Sequence, residues 1–158
     1  MKCVLPVFAA LLLLAGGGIW WLARHSGAAE VDLAGNPADR GALRFGICAV
    51  CHGPQGRGVA GKGPSLHGSL LANRSANQLV RAVLRGIAGG RHPDGSQYPE
   101  GMAGQAWMPD PDVAAVVNFV RTSFDNHGSP VTADDVARVR RETADRTTRY
   151  SRAELGLP

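Results

Sequence analysis

Cys48-Ala49-Val50-Cys51-His52 is the most informative stretch of this 158-residue sequence. Two thiols three positions apart on a helical turn can each add across one vinyl group of a haem. The histidine that follows the second thiol is then placed to bind the haem iron as an axial ligand. The motif therefore predicts one covalently attached haem c, held through Cys48 and Cys51 and ligated by His52.

Two other uses of paired cysteines fit the surrounding sequence poorly. A thioredoxin-like redox pair would be flanked by a strand-helix-strand pattern, which the sequence around residues 48–52 does not have. A structural zinc site would need a second pair of ligands at short spacing, and the nearest candidates, His67 and His92, stand singly. The haem interpretation is therefore favoured over both.

The composition fits a small domain that needs a cofactor to complete its interior. The chain has 21 glycines, 10 prolines and only 6% aromatic residues, so its side chains alone would form a thin core. The formal net charge of +4 comes from arginines scattered among acidic residues, which indicates no nucleic-acid surface. Cys3 lies in the N-terminal segment, so we expect no disulfide within the chain.

Residues 1–28 predict either a signal peptide or an N-terminal membrane anchor. A charge-free run follows Lys2 and ends at Arg24. At about 1.5 Å per helical residue, it is long enough to cross the roughly 30 Å core of a bilayer. Ser26-Gly27-Ala28 is a small-residue stretch that a signal peptidase could cut. Both alternatives export the rest of the chain, and residues 29–35 then form a linker.

Capping residues and helical periodicity predict an all-α fold after the linker. Asn36 is a suitable N-cap with Pro37 at the first helical position, and this helix should run to about Val50. Apolar stripes at helical spacing predict further helices over residues 76–86 and from an N-cap at Asp110 to about residue 124. Residues 91–107, rich in Gly and Pro, predict an irregular loop that wraps the cofactor.

Residues 129–158 predict a C-terminal helix and a tail. Thr132 and Asp135 form a capping-box pattern that begins the helix. Residues 138–152 mix arginines with acids, which is typical of a solvated helix followed by a fraying tail. The alternative is that this segment docks onto a partner subunit.

These motifs together resemble the class I c-type cytochromes. The sequence contains Gly41-x-x-x-Phe45-x-x-Cys48-x-x-Cys51-His52-Gly53, then Gly56-Arg57-Gly58 and Gly63-Pro64-Ser65-Leu66-His67-Gly68. The resemblance covers about residues 36–127. It implies a cytochrome c fold of three to five helices wrapped round one haem, in a domain of residues 36–128.

The resemblance also implies roles for single residues. In this family the first helix crosses the last helix at a glycine, here Gly41, and the last helix contributes an aromatic residue, here Phe119. The free ring N–H of an iron-ligating histidine needs an acceptor that fixes the ring. For His52, the resemblance implies that this acceptor is the backbone carbonyl of Pro64.

Two methionines are candidates for the sixth iron ligand. A thioether opposite histidine raises the reduction potential and suits electron transfer rather than oxygen chemistry. Met108 precedes Pro109, as in the family's Met-Pro dipeptide, but it lies only two residues before the predicted start of the last helix. Met102 has a spacing to that helix close to the family's, although Ala103 follows it where proline is usual. Met102 is the predicted ligand and Met108 the less favoured alternative.

Tyr98 and Trp107 are candidate cofactor-binding residues in the same loop. Each carries one polar hydrogen on an apolar body, so each can pack beside the haem and donate to a propionate. Simple packing within the loop is the alternative for both.

The predicted function is one-electron transfer through a His/Met-ligated haem c, without catalysis by the chain itself. Phe124-x-Asn126, Ser129-Pro130-Val131 and Thr132-Ala133-x-x-Val136-x-x-x-Arg140 resemble monohaem cytochromes that serve periplasmic dehydrogenases. This resemblance implies a dehydrogenase as electron donor and a respiratory acceptor, such as a terminal oxidase or another cytochrome. The protein would lie on the periplasmic side of the bacterial inner membrane, anchored through residues 1–28 or soluble in the periplasm.

Two alternatives from other classes stay open. A haem-based catalyst or gas sensor would keep the sixth iron site free, so neither methionine would bind. An anchoring subunit of a dehydrogenase complex would use residues 132–158 to hold its partner.

Overall fold

Five α-helices form the main regular structure of the part of the chain that the computed structural model describes, residues 36–158. They are α1 Pro37–His52, α2 Leu70–Asn73, α3 Ala76–Arg85, α4 Asp110–Thr122 and α5 Ala133–Glu142, and a 3₁₀ turn spans Ala153–Leu155. Two short antiparallel strands, β1 Gly90–Arg91 and β2 Gln97–Tyr98, form a hairpin. The all-α class is confirmed. Within residues 36–158, no helix combines the length and apolar character that crossing a bilayer requires.

Several predictions concern residues that the structure does not describe. The signal peptide or anchor of residues 1–28, the linker of residues 29–35 and Cys3 all lie outside the described range, residues 36–158.

The helix starts follow the capping residues, with one difference. The Asn36 side chain accepts a hydrogen bond of 3.0 Å from the backbone N–H of Ala38, and Thr132 and Asp135 form a complete capping box, as predicted. The predicted N-cap at Asp110 is wrong by one residue, because the N-cap is Pro109 and Asp110 is the first helical residue. Its carboxylate still lies in the first turn, where the helix dipole favours negative charge.

The crossing of α1 and α4 places the haem motif against the core. A Cβ atom built on Gly41 would lie 2.5 Å from the carbonyl oxygen of Ala115 and 2.8 Å from the Cβ of Phe119. Only glycine permits this approach, which explains a residue that otherwise costs about 1 kcal/mol in a helix. One turn further along α1, the Phe45 ring lies 5.2 Å from the rings of Phe119 and Phe124. The expected helix crossing is confirmed.

The loop before α4 has more regular structure than its Gly and Pro content indicated. Beyond the β1–β2 hairpin, the backbone of Met102 exchanges two hydrogen bonds with Ile87, at 2.9 and 3.0 Å. The expectation of an irregular loop was therefore wrong here. The loop lies against the chain segment that leaves α3, and this contact fixes the position of Met102.

The C-terminal segment packs onto the core, so the expected fraying tail is also wrong. Val136 and Val139 of α5 are fully buried, as is Leu155 in the 3₁₀ turn. Tyr150 is buried, its backbone N–H donates to Gly86 and its carbonyl accepts from Ala88. The tail therefore forms a parallel bridge beside Ile87, on the opposite side from Met102. Residues 86–88 thus link the tail to the methionine loop, which is the segment 99–109 between β2 and α4.

Candidate haem site

A cavity of about 350 Å³ opens beside the C-terminal end of α1. Its walls come from α1, the loop after it, the methionine loop and the C-terminal tail. The cavity brings together Cys48, Cys51, His52, Pro64, Met102 and Tyr98, which are all predicted site residues. The rest of its lining is mostly apolar, with Leu66, Leu70, Leu71, Leu79, Ile87, Val120 and Leu157 among the residues.

The two cysteines are free and partly buried at the cavity wall. Burial raises the pKa of the Cys48 thiol, a backbone hydrogen bond opposes this to a smaller degree, and the neighbouring Cys51 adds a small further increase. Both sulfurs lie on the last turns of α1, which ends at His52. A vinyl group placed at this wall can be attached by addition of a thiol, in which the sulfur bonds one vinyl carbon and hydrogen goes to the other.

His52 is held in the orientation that metal binding needs. Its Nδ1 lies 2.8 Å from the carbonyl oxygen of Pro64, so Nδ1 carries the hydrogen and donates it. Burial lowers the pKa of His52, and the Pro64 hydrogen bond opposes this to a smaller degree. The imidazole is therefore neutral at neutral pH, and its Nε2 lone pair is available to a metal.

The two methionines lie in different surroundings. Met102 lines the cavity, and its backbone is fixed by its two bonds to Ile87. Met108 is 3% exposed and packs within the hydrophobic core instead of lining the cavity. The structure thus brings Met102, and not Met108, together with the cysteines and His52.

Tyr98 and Trp107 differ in their position relative to the cavity. Tyr98 lines the cavity, and its ring packs edge-on against the His92 ring at 4.7 Å between centroids. Trp107 is 65% exposed, and its indole N–H donates to the Gln105 side chain at 2.9 Å. The structure does not bring Trp107 to the cavity, so the expectation that it packs beside the haem is not supported.

Several residues that line the cavity were not among the predicted site residues. His92 precedes the hairpin turn, and Arg152, Leu157 and Pro158 belong to the tail. The tail looked solvated because its charges alternate in sign, and that pattern does not reveal that the backbone turns back towards Gly86. The apolar pair Leu155 and Leu157 at the end of a charged segment was the available signal.

Arg140 of α5 connects the C-terminal helix to the end of the methionine loop. Its Nε lies 2.7 Å from an Asp110 carboxylate oxygen. Its Nη1 and Nη2 donate to the carbonyl oxygens of Ala106 and Met108, at 2.5 and 2.7 Å. One guanidinium thus binds two backbone carbonyls of the methionine loop and the first residue of α4. Through Arg140, α5 holds the end of this loop in place.

We expect Arg140→Gln to lower the free energy of unfolding of the haem-loaded protein by about 1–3 kcal/mol, because up to three hydrogen bonds, one to a carboxylate, are lost. Chemical denaturation measures this change. Arg141→Gln is the matched control, since Arg141 is an exposed neighbour on the same helix. Equal stability of the two variants would contradict the role given to Arg140.

Comparison with known proteins identifies the family. A family model described as Cytochrome c matches residues 38–124, from α1 to just beyond α4. The chain belongs to the cytochrome c family. The matched region of this cytochrome contains both thiols, His52 and Met102, and the resemblance to class I c-type cytochromes is confirmed.

Two relatives show how far the similarity extends. Cytochrome c-552 of Thermus thermophilus is 29% identical over 127 residues, covering 74% of this chain and 97% of the relative. The cytochrome c subunit of a quinone alcohol dehydrogenase from Gluconacetobacter polyoxogenes is 34% identical over 98 residues. That match covers 59% of this chain but only 20% of the relative, so the cytochrome corresponds to about one fifth of that subunit.

Family membership implies covalently bound haem c and electron transfer through it, and the residues of the cavity fit that cofactor. Two thiols and a neutral imidazole lie at one wall, a thioether lines the same cavity, and the remaining lining is mainly apolar. When bound, the haem supplies one-electron redox chemistry at its iron. The protein's part is to attach the ring, orient His52 and keep water away.

Proposed function

We propose that this cytochrome is a one-electron carrier with a single haem c whose axial ligands are His52 and Met102. The observation that carries the proposal is the shared cavity, which collects two thiols, a neutral imidazole and one methionine. The other candidate ligand, Met108, packs in the hydrophobic core. A filled sixth site favours electron transfer over oxygen chemistry.

The position of each ligand supports rapid electron exchange. The Pro64 carbonyl holds the His52 ring, and Ile87 holds the Met102 backbone, so neither ligand has to be reorganised extensively when the iron changes its charge. This preorganisation keeps the ligand geometry similar in both oxidation states. A catalyst or gas sensor would instead need an open site beside the iron. Optical spectroscopy distinguishes such a protein from a carrier with both axial sites filled.

An apolar rim at the cavity mouth supports transfer to a partner protein. Ile47 and Leu70 line the cavity and are nevertheless 42% and 46% exposed. Val50, which follows Ile47 by three residues in α1, is 66% exposed. Small, partly apolar contact surfaces are usual in transient redox complexes. We propose that the partner docks over this rim.

The proposed donor is a periplasmic dehydrogenase and the proposed acceptor a respiratory oxidase or a second cytochrome. Support comes from the relative that is named as a dehydrogenase subunit and from residues 1–28, whose composition predicts export. The protein would act on the periplasmic side of the inner membrane, soluble or attached through residues 1–28. An anchoring role within a dehydrogenase complex is the second possibility for the same partner.

The optical spectrum of the oxidised, haem-loaded protein tests the proposal. We expect the weak far-red band that marks sulfur on ferric iron, and little binding of carbon monoxide to the reduced protein. Stopped-flow mixing with a small inorganic reductant should give single-exponential reduction. An absent far-red band with ready carbon monoxide binding would reject the carrier and favour the catalyst or sensor.

A further inference from the structure

The cavity contains a polar cluster that the proposed function does not use. Arg152 from the tail, His92 before the hairpin turn and Tyr98 from β2 meet at the wall built from these two segments. Among the described residues that line the cavity, the charged side chains are those of Lys62 and Arg152, and both are basic. The charged side chains of the lining are therefore suited to an acidic group.

The Arg152 guanidinium is held by its neighbours but keeps N–H donors for another acceptor. Its Nε and Nη2 donate to a backbone oxygen of Pro158 at 2.9 and 2.6 Å. Its Nη1 lies 3.0 Å from Nε2 and 3.2 Å from Nδ1 of His92. A guanidinium has five N–H donors, so these contacts leave two that can donate to a further acceptor.

His92 supports this arrangement as a neutral group. Burial lowers the pKa of His92, the charge of Arg152 lowers it further, and Asp94 opposes both to a smaller degree. A neutral imidazole has one ring nitrogen that accepts a hydrogen bond, which Nη1 of Arg152 can donate. The edge contact of the Tyr98 ring holds the imidazole in place. His92 thus orients Arg152 without adding a second charge.

Haem carries two propionate groups on the edge of the ring opposite its vinyl groups, so the thiols determine where the carboxylates point. Lys62 belongs to the thiol side, because a Cβ on the next residue, Gly63, would lie 2.8 Å from the carbonyl oxygen of Cys51. Arg152 instead comes from the tail and the hairpin wall. Of the two cations, Arg152 is therefore the candidate for a propionate.

We propose that Arg152, positioned by His92, binds a haem propionate, so that the tail is a functional part of the haem site. The inference rests on the proposed haem in this cavity. A guanidinium pairs well with a carboxylate because two N–H groups can reach both oxygens. Its positive charge also favours the reduced haem, which carries one positive charge less than the oxidised haem.

The test compares the haem-loaded full chain with Arg152→Gln and Arg152→Lys, using Arg141→Gln as the control for loss of one positive charge from the surface. At a fixed electrode potential near the midpoint, Arg152→Gln should lower the ratio of reduced to oxidised protein about three- to tenfold, where tenfold corresponds to about 59 mV for one electron. Arg152→Lys should recover most of that loss. An unchanged ratio in Arg152→Gln, matching Arg141→Gln, would overturn the proposal.

A second measurement covers the case in which Arg152→Gln fails to load haem. In the wild type, a propionate bound to Arg152 stays ionised, so the reduction potential should be nearly constant between about pH 6 and pH 8. The other titratable groups that line the cavity near the propionates are His92 and Tyr98 at this wall and Lys62 on the thiol side. A steep slope in this range would overturn the proposal. The far-red band reports methionine ligation separately, so failure here is distinguishable from failure of the proposed function.

Discussion

The double variant Cys48→Ser, Cys51→Ser should contain no covalently attached haem. A serine hydroxyl does not add to a vinyl group under the conditions in which a thiol does, and both sulfurs at the cavity wall are removed. Haem that binds only through His52 and apolar contacts would be lost on denaturation. The readout is haem absorbance that migrates with the polypeptide on a denaturing gel, or remains with it after acid extraction. We expect complete loss of both signals.

The chain offers graded controls for this result. Cys3→Ser removes the third cysteine, which lies in residues 1–28, and should leave attachment unchanged. Each single variant, Cys48→Ser or Cys51→Ser, should retain one thioether and one unreacted vinyl group, which stays conjugated with the ring and moves the absorption bands to longer wavelength. Haem that stays with the double variant through denaturation would show that the attachment site has been misassigned.

Local sequence signals predicted two of the helix starts and the helix crossing beside the thiols. The Asn36 cap, the Thr132–Asp135 capping box and the Gly41 crossing each depend on residues within one or two helical turns or on a single steric requirement. Such features follow from the chemistry of a few neighbouring residues. For the same reason the position of the thiols and His52 on the last turns of α1 could be anticipated.

Interactions between distant segments could not be predicted in this way. Gly86 ends α3 with a positive φ of 80°, and a Cβ there would also overlap the carbonyl oxygen of Met102, just as a Cβ on Gly101 would overlap that of Ile87. The contact between the two backbone segments is a second reason for glycine, and a single sequence does not tell a glycine that only ends a helix from one that also admits a neighbour. The pairing with Tyr150 on the other side was hidden for the same reason.

The arginine-rich tail was misinterpreted because arginine can satisfy buried carbonyl groups as well as surface acids. Arg121 is 2% exposed and donates to the carbonyls of Ser129 and Ala72, at 2.6 and 2.7 Å. Arg140 and Arg152 use the same chemistry at the methionine loop and at the cavity. A charge pattern records the sign of each side chain and not its partner, so the sequence alone favoured a solvated helix.

Replacing Met102 by alanine should convert the cytochrome from a carrier into a protein with an open iron site. The far-red band should disappear, and carbon monoxide should bind the reduced protein readily. The reduction potential should fall by about 0.1 V or more, because the thioether that favours ferrous iron is lost. Optical spectroscopy and a redox titration measure all three changes.

Met108→Leu is the matched control for Met102→Ala, because Met108 is the other candidate ligand and packs in the core. Leucine preserves most of the volume of methionine, so the change should cost less than about 1.5 kcal/mol of stability and leave the far-red band intact. The decisive comparison is the pair of spectra. A band that survives in Met102→Ala and vanishes in Met108→Leu would transfer the ligand role to Met108, and the loop held by Ile87 and Arg140 would then need another explanation.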